Sequence, residues 1–143
     1  MSKGISAYAK IIINAPQNKV WEALVSPEKI KEFMFGSDVV SEWKEGSFII
    51  WKGVWEGKPY EDKGVIIQVK EPELLEYTHF SPLLGLPDVP ENYHLLTYQL
   101  SAVEEGTELS LSQDNNTTEE QKEHSEKMWA SMLEGIKKVV END

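Results

Sequence analysis

From Ile5 to Ile13 the chain alternates, with Ile5, Ala7, Ala9, Ile11 and Ile13 set against Ser6, Tyr8 and Lys10, the period of a half-buried strand. Asn14-Ala15-Pro16 stops it. Pro16 suits the first position of a helix whose inner face is Val20, Trp21 and Leu24, and Ser26-Pro27 ends that helix. A second short helix is predicted from Pro27 to Met34, with Ile30 and Phe33 inward. Strand and turn follow: Asp38 to Trp43, Phe48 to Glu56, Tyr60 to Lys70, Leu74 to Phe80, Tyr93 to Val103 and Thr107 to Gln113. Gly57-Lys58-Pro59 and Glu104-Glu105-Gly106 mark two of the hairpin turns. The period then changes. Met128, Trp129, Met132, Leu133, Ile136, Val139 and Val140 recur at helical spacing, one apolar stripe on a helix running from about Thr117 or Thr118 to Glu141. Thr117 and Glu120 have the spacing of a capping box. Gly135 interrupts the stripe at a cost of about 1 kcal/mol against alanine, which implies either a close approach to the helix or space left open beside it. The order β-α-α-β(six)-α predicts an α+β fold: one domain over residues 1–143, with a seven-stranded antiparallel sheet curved around the long C-terminal helix.

Composition narrows the function. The chain has 143 residues, enough for one domain with a real core. It carries 25 acidic residues against 14 lysines, has no arginine, and has a net charge of −11. Nucleic-acid and anionic-membrane binders depend on clustered cations, so neither is an expected partner. Without cysteine there is no disulfide framework and no thiol nucleophile. No apolar run has the length of a membrane span and no signal-peptide core opens the chain; the expected location is cytoplasmic.

Catalytic motifs are absent. There is no glycine-flanked nucleophilic serine and no phosphate-cradling glycine loop. His79, His94 and His124 come from two strands and a helix without metal-ligand spacing, so no metal and no cofactor is expected. Strand parity supplies the candidates instead. Tyr77 and His79 share a face with Leu75, Tyr98 shares one with Leu96 and Leu100, and Gln113 shares one with Leu109 and Leu111. These polar tips aim at the helix stripe of Met128, Trp129, Met132 and Leu133. With Phe33 and Trp51 they form the candidate cavity lining. They orient a ligand in an otherwise apolar pocket, or they bond to one another and to backbone. Trp51 and Trp55 lie on one face of their strand, as an aromatic platform or as ordinary packing. The loop Ser81 to Asn92 is stiffened by three prolines and carries Leu83, Leu84 and Leu86, too apolar for an idle connection; it is a candidate lid or partner contact.

The joint order of Ala15-Pro16 with Val20-Trp21, Ala23-Leu24 and Pro27, then Gly46-Ser47-Phe48, Gly64-Val65, Pro72, Leu75, Tyr77-Thr78, Gly106-Thr107 with Leu109, and Trp129 with Leu133 and Ile136 resembles the START-like (SRPBCC, birch-pollen-allergen fold) superfamily. Within it the chain is similar to the group named after the activator of the heat-shock-protein-90 ATPase. The resemblance implies a helix-grip fold with a cavity between sheet and C-terminal helix. Met128 stands where the group usually has glycine, which implies a smaller cavity. Three functions follow from the resemblance: non-enzymatic binding of a small apolar or aromatic molecule, which is the leading expectation; a protein-interaction module that contacts a chaperone or other protein; and a cavity-based enzyme of cyclase type. The oligomeric state is left open.

Overall fold

The computed structural model describes residues 4–34 and 36–142, and the side chains of Trp55 and Leu84 lie outside the described residues. Seven strands form one antiparallel sheet in the order β1-β7-β6-β5-β4-β3-β2. They are β1 (Ile5–Ile13), β2 (Asp38–Ser41), β3 (Phe48–Trp55), β4 (Lys58–Lys70), β5 (Leu74–His79), β6 (His94–Val103) and β7 (Gly106–Asn116). Helices α1 (Gln17–Val25) and α2 (Pro27–Phe33) follow β1, and α3 (Glu119–Glu141) closes the chain. The expected α+β arrangement is the one observed. Every neighbour in sequence from β2 to β7 is also a neighbour in the sheet, while β1 pairs with β7 and so brings the two ends of the chain together.

Local chemistry accounts for the boundaries. Pro16 is the residue before α1 and not its first. Lys58 already pairs with Trp55, so the β3–β4 turn is the two residues Glu56 and Gly57, both at positive φ (49° and 81°), as a two-residue hairpin turn requires. The capping box sits one residue later than Thr117–Glu120. Thr118 is the N-cap, its Oγ1 accepting from Gln121 N at 3.0 Å, and Gln121 Oε1 reaches back to accept from Thr117 N at 2.8 Å. Gln121 thus plays the part expected of Glu120.

The core lies between the concave face of the sheet and the three helices. Val20, Trp21, Leu24, Ile30, Phe33, Ile49, Ile66, Leu75, Leu96, Leu109, Leu133, Ile136 and Val140 are all buried there. Gly135 meets Phe33 of α2, whose Cβ lies 3.4 Å from where a Gly135 Cβ would sit. Helix α2 thus lies beside this glycine, at ordinary contact distance for one methyl group, and not open space. At the other end of α3, Ser125 Oγ donates to Asn116 Oδ1 at 2.9 Å, and Asn116 Nδ2 donates to Ile5 O at 3.0 Å, fastening the helix to β7 and β1. Glu126 accepts from Tyr8 N at 3.0 Å and Glu141 from Asn14 N at 2.8 Å, so α3 also grips the backbone of β1 and of the residue just after it.

Candidate functional site

Ten predicted lining residues divide among three places. Phe33, Trp51, Tyr77 and Tyr98 surround a slot of about 10 Å3 deep in the core, at the lower limit for one water molecule. Met132 and Leu133 are buried in the α3 stripe and border neither space. His79, Gln113, Met128 and Trp129 line an open cleft of about 710 Å3 between the first half of α3 and the adjoining ends of β4 to β7. The expected enclosed cavity is therefore almost filled, and the accessible space lies beside it.

The slot is closed by aromatic packing. Trp51 and Tyr77 have ring centroids 5.3 Å apart, and Tyr77 and Tyr98 lie 5.7 Å apart. The two tyrosine hydroxyls hydrogen-bond to each other at 2.9 Å. Their polar tips satisfy one another, the bland alternative open to them. Burial drives both phenols upward, Tyr98 to about 12 and Tyr77 well above its ordinary value, with Tyr98 beside it adding to the rise.

Met128 does not intrude on the core; it is 46% exposed on the rim of the open cleft. Trp129 is partly buried, packed at the margin of the core and not at its centre. Its Nε1 donates to Gln113 Oε1 at 2.8 Å. This bond fixes the Gln113 amide and leaves its NH2 group as a donor. His79 Nε2 donates to Asp62 Oδ2 at 2.9 Å, and the His79 ring stands edge-on to Trp51 with centroids 5.0 Å apart. His94 Nδ1 donates to the Asp114 carbonyl at 2.8 Å.

Sequence reasoning missed three contributors. His94 and His124 stood as unconnected histidines and Asp62 as one surface carboxylate among many, yet all three border the same cleft. Strand parity holds the signal for His94, since it occupies the inner face two residues before Leu96 and faces His79 across the ladder. Among the described residues no group of three or more histidines or carboxylates is arranged to hold a metal ion.

Leu83 and Leu86 are 47% and 49% exposed and do not border the cleft, so they form no lid over it. Among the described residues of the same loop, only Ser81 reaches the cleft. The far part of the loop is held outward by an ion pair of Asp88 with Lys63 and by Tyr93 Oη, which donates to Asp88 at 2.6 Å. The side chain of Leu84 lies outside the described residues, as does that of Trp55.

A helix-gripping sheet with this strand order coincides with a match of residues 14–141 to the model of the activator of Hsp90 ATPase homolog 1-like protein family. The chain belongs to that family. Protein ChR145 from Cytophaga hutchinsonii, solved in solution, shares 59% identity over 99% of this chain and 97% of its own, with a TM-score of 0.87. Protein MLL2253 from Mesorhizobium loti shares the fold at 18% identity, covering 96% of this chain and 98% of its own, with a TM-score of 0.76. A dimer described as Aha1 from Colwellia psychrerythraea does so at 21% identity, covering 95% and 96%, with a TM-score of 0.72. No sequence among curated proteins matches the chain. In this member of the Hsp90-activator-like family, no helix among the described residues is long and apolar enough to cross a membrane.

Proposed function

We propose that this family member binds a small, largely aromatic molecule, and that the ligand occupies the open cleft beside α3. The supporting observation is the cleft itself. At about 710 Å3 it falls in the roughly 300–1,000 Å3 range of ligand pockets. Met128 and Trp129 give it apolar surface, and Gln113, His79, His94 and His124 place polar groups around that surface. The core slot holds no more than a water, so a ligand of modest size meets the protein at Trp129 and not at Trp51. A panel of aromatic fragments, screened by thermal denaturation and tryptophan fluorescence, tests this. A binder raises the midpoint with the logarithm of its concentration, quenches emission in the parent protein, and quenches it far less in Trp129→Phe. No shift with any fragment would remove the ligand-binding reading.

A second reading, contact with a chaperone or another protein, is favoured by the convex face of β2 to β4. Phe48 is 74% exposed there, and exposed Val40 and Val54 lie on the same face of the sheet. A shallow groove of about 650 Å3 with Val65, Ile67 and Leu95 in its floor lies on the same side. Several exposed apolar side chains gathered on one face are a feature of interfaces. Sedimentation of the parent chain against Phe48→Asp, alone and with a candidate chaperone, separates this reading from the first. A change in association with unchanged fragment binding supports it.

A further inference from the structure

His79 and His94 stand directly opposite one another where strands β5 and β6 end at the cleft. Each ring has one nitrogen already committed: His79 Nε2 to Asp62 Oδ2 and His94 Nδ1 to the Asp114 carbonyl. A carbonyl oxygen and an ionised carboxylate can only accept. The hydrogens therefore sit on His79 Nε2 and His94 Nδ1, and in the neutral rings His79 Nδ1 and His94 Nε2 carry lone pairs. Neither of these nitrogens makes a further hydrogen bond among the described residues. The cleft is thus lined by two histidines on paired strands, each with one acceptor nitrogen uncommitted, set in opposite tautomers by their partners.

The carboxylate behind them is also incompletely satisfied. Asp62 Oδ1 is buried and has no hydrogen-bond partner among the described residues, which is costly for an ionised group. Glu120 adds a second carboxylate at the rim, and no lysine borders the cleft. The chain as a whole carries a charge of −11, so its field draws cations and repels anions. An anionic head gains no hydrogen bond from the two imidazole lone pairs and is repelled by Asp62 and Glu120. A donor-bearing cation needs no such change.

We infer that the cleft selects a protonated amine carried on a small aromatic ring over the acid or alcohol of the same shape, the ammonium donating to the paired histidines beside Asp62 and the ring resting on Trp129 and Met128. This rests on the reading of the cleft as a ligand site.

Phenethylamine, phenethyl alcohol and phenylacetate share a ring and a short chain and differ in the head. Each is titrated into the isotope-labelled full chain at neutral pH, following the Trp129 indole N–H and the histidine ring signals. The amine is expected to move these signals with an affinity at least about tenfold tighter than the alcohol, and phenylacetate to leave them in place. Asp62→Asn keeps an acceptor for His79 while removing the charge, and is expected to erase most of the preference with an unchanged circular dichroism spectrum. Equal affinities, or tighter binding of phenylacetate, would overturn amine selection while leaving the cleft as a binding site. Perturbation by none of the three would overturn both. Zinc chloride that shifts the histidine signals where the amine does not would make the two lone pairs metal ligands and likewise overturn the inference. Retention of the amine preference in Asp62→Asn would count against it too.

Discussion

Tyr77 and Tyr98 show how a polar group is kept in an apolar core at little net cost. Each hydroxyl is the other's partner, so the pair is balanced only while both members are present. Tyr98→Phe leaves the Tyr77 hydroxyl buried beside the nearly filled slot, and should lower stability by about 1–3 kcal/mol. The double variant Tyr77→Phe with Tyr98→Phe removes both polar groups and should be more stable than either single variant. Chemical denaturation of the four proteins forms the double-mutant cycle that checks this. Equal and additive losses would mean the hydroxyls act independently. Strand parity in the sequence places both tyrosines on the inner face, but only the register, Leu75 opposite Tyr98 and Tyr77 opposite Leu96, brings their tips within bonding distance. For the same reason the cleft was half legible: Gln113, His79, Met128 and Trp129 follow from period alone, as His94 does from the parity of Leu96, whereas Asp62 joins them only through its bond to His79 on the neighbouring strand.

Among the elements, α3 carries the most information. Its apolar stripe is readable because helical period and burial coincide at Met132, Leu133, Ile136 and Val140. The stripe misleads at its first turns, where Met128 is turned to the rim and Ser125 is buried in its place against Asn116. Period gives the angle around a helix but not where along its length the sheet stops. Gly135 belongs to this scale as well. A Cβ there would meet Phe33 at 3.4 Å, an ordinary van der Waals contact, while the helix would gain about 1 kcal/mol in propensity from alanine. Gly135→Ala is therefore expected to be neutral or to raise stability by up to about 1 kcal/mol. Gly135→Leu must push α2 away and should cost about 1–3 kcal/mol, with fragment binding in the distant cleft little changed. Thermal melts of the two variants check this. A strong loss with alanine would show that the α2–α3 contact has no room for even one methyl group.

The whole molecule is strongly acidic, and that makes its response to acid diagnostic. With a net charge of −11, protonating carboxylates at large relieves self-repulsion and should favour the compact state. Loss of stability on moderate acidification then points to groups whose charge state holds the fold together, carboxylates among them. Glu126 and Glu141 are two such groups. The backbone N–H of Tyr8, followed by Lys122, holds Glu126 below its ordinary value of 4.5, and Lys137, followed by the backbone N–H of Asn14, does the same for Glu141. Both tie α3 to the edge strand β1 or to the residue that follows it. A depressed folded-state value means that the contribution is fully present above the ordinary glutamate range and is lost as pH falls through the lowered value. Glu126→Gln with Glu141→Gln should therefore melt below the parent protein at pH 7, and the gap between them should close as pH drops from about 4.5 downward. Melting curves of both proteins across that window give the answer. A gap that stays constant with pH would assign the loss to packing at the α3–β1 seam, and a gap that widens in acid would reverse the sign of the linkage.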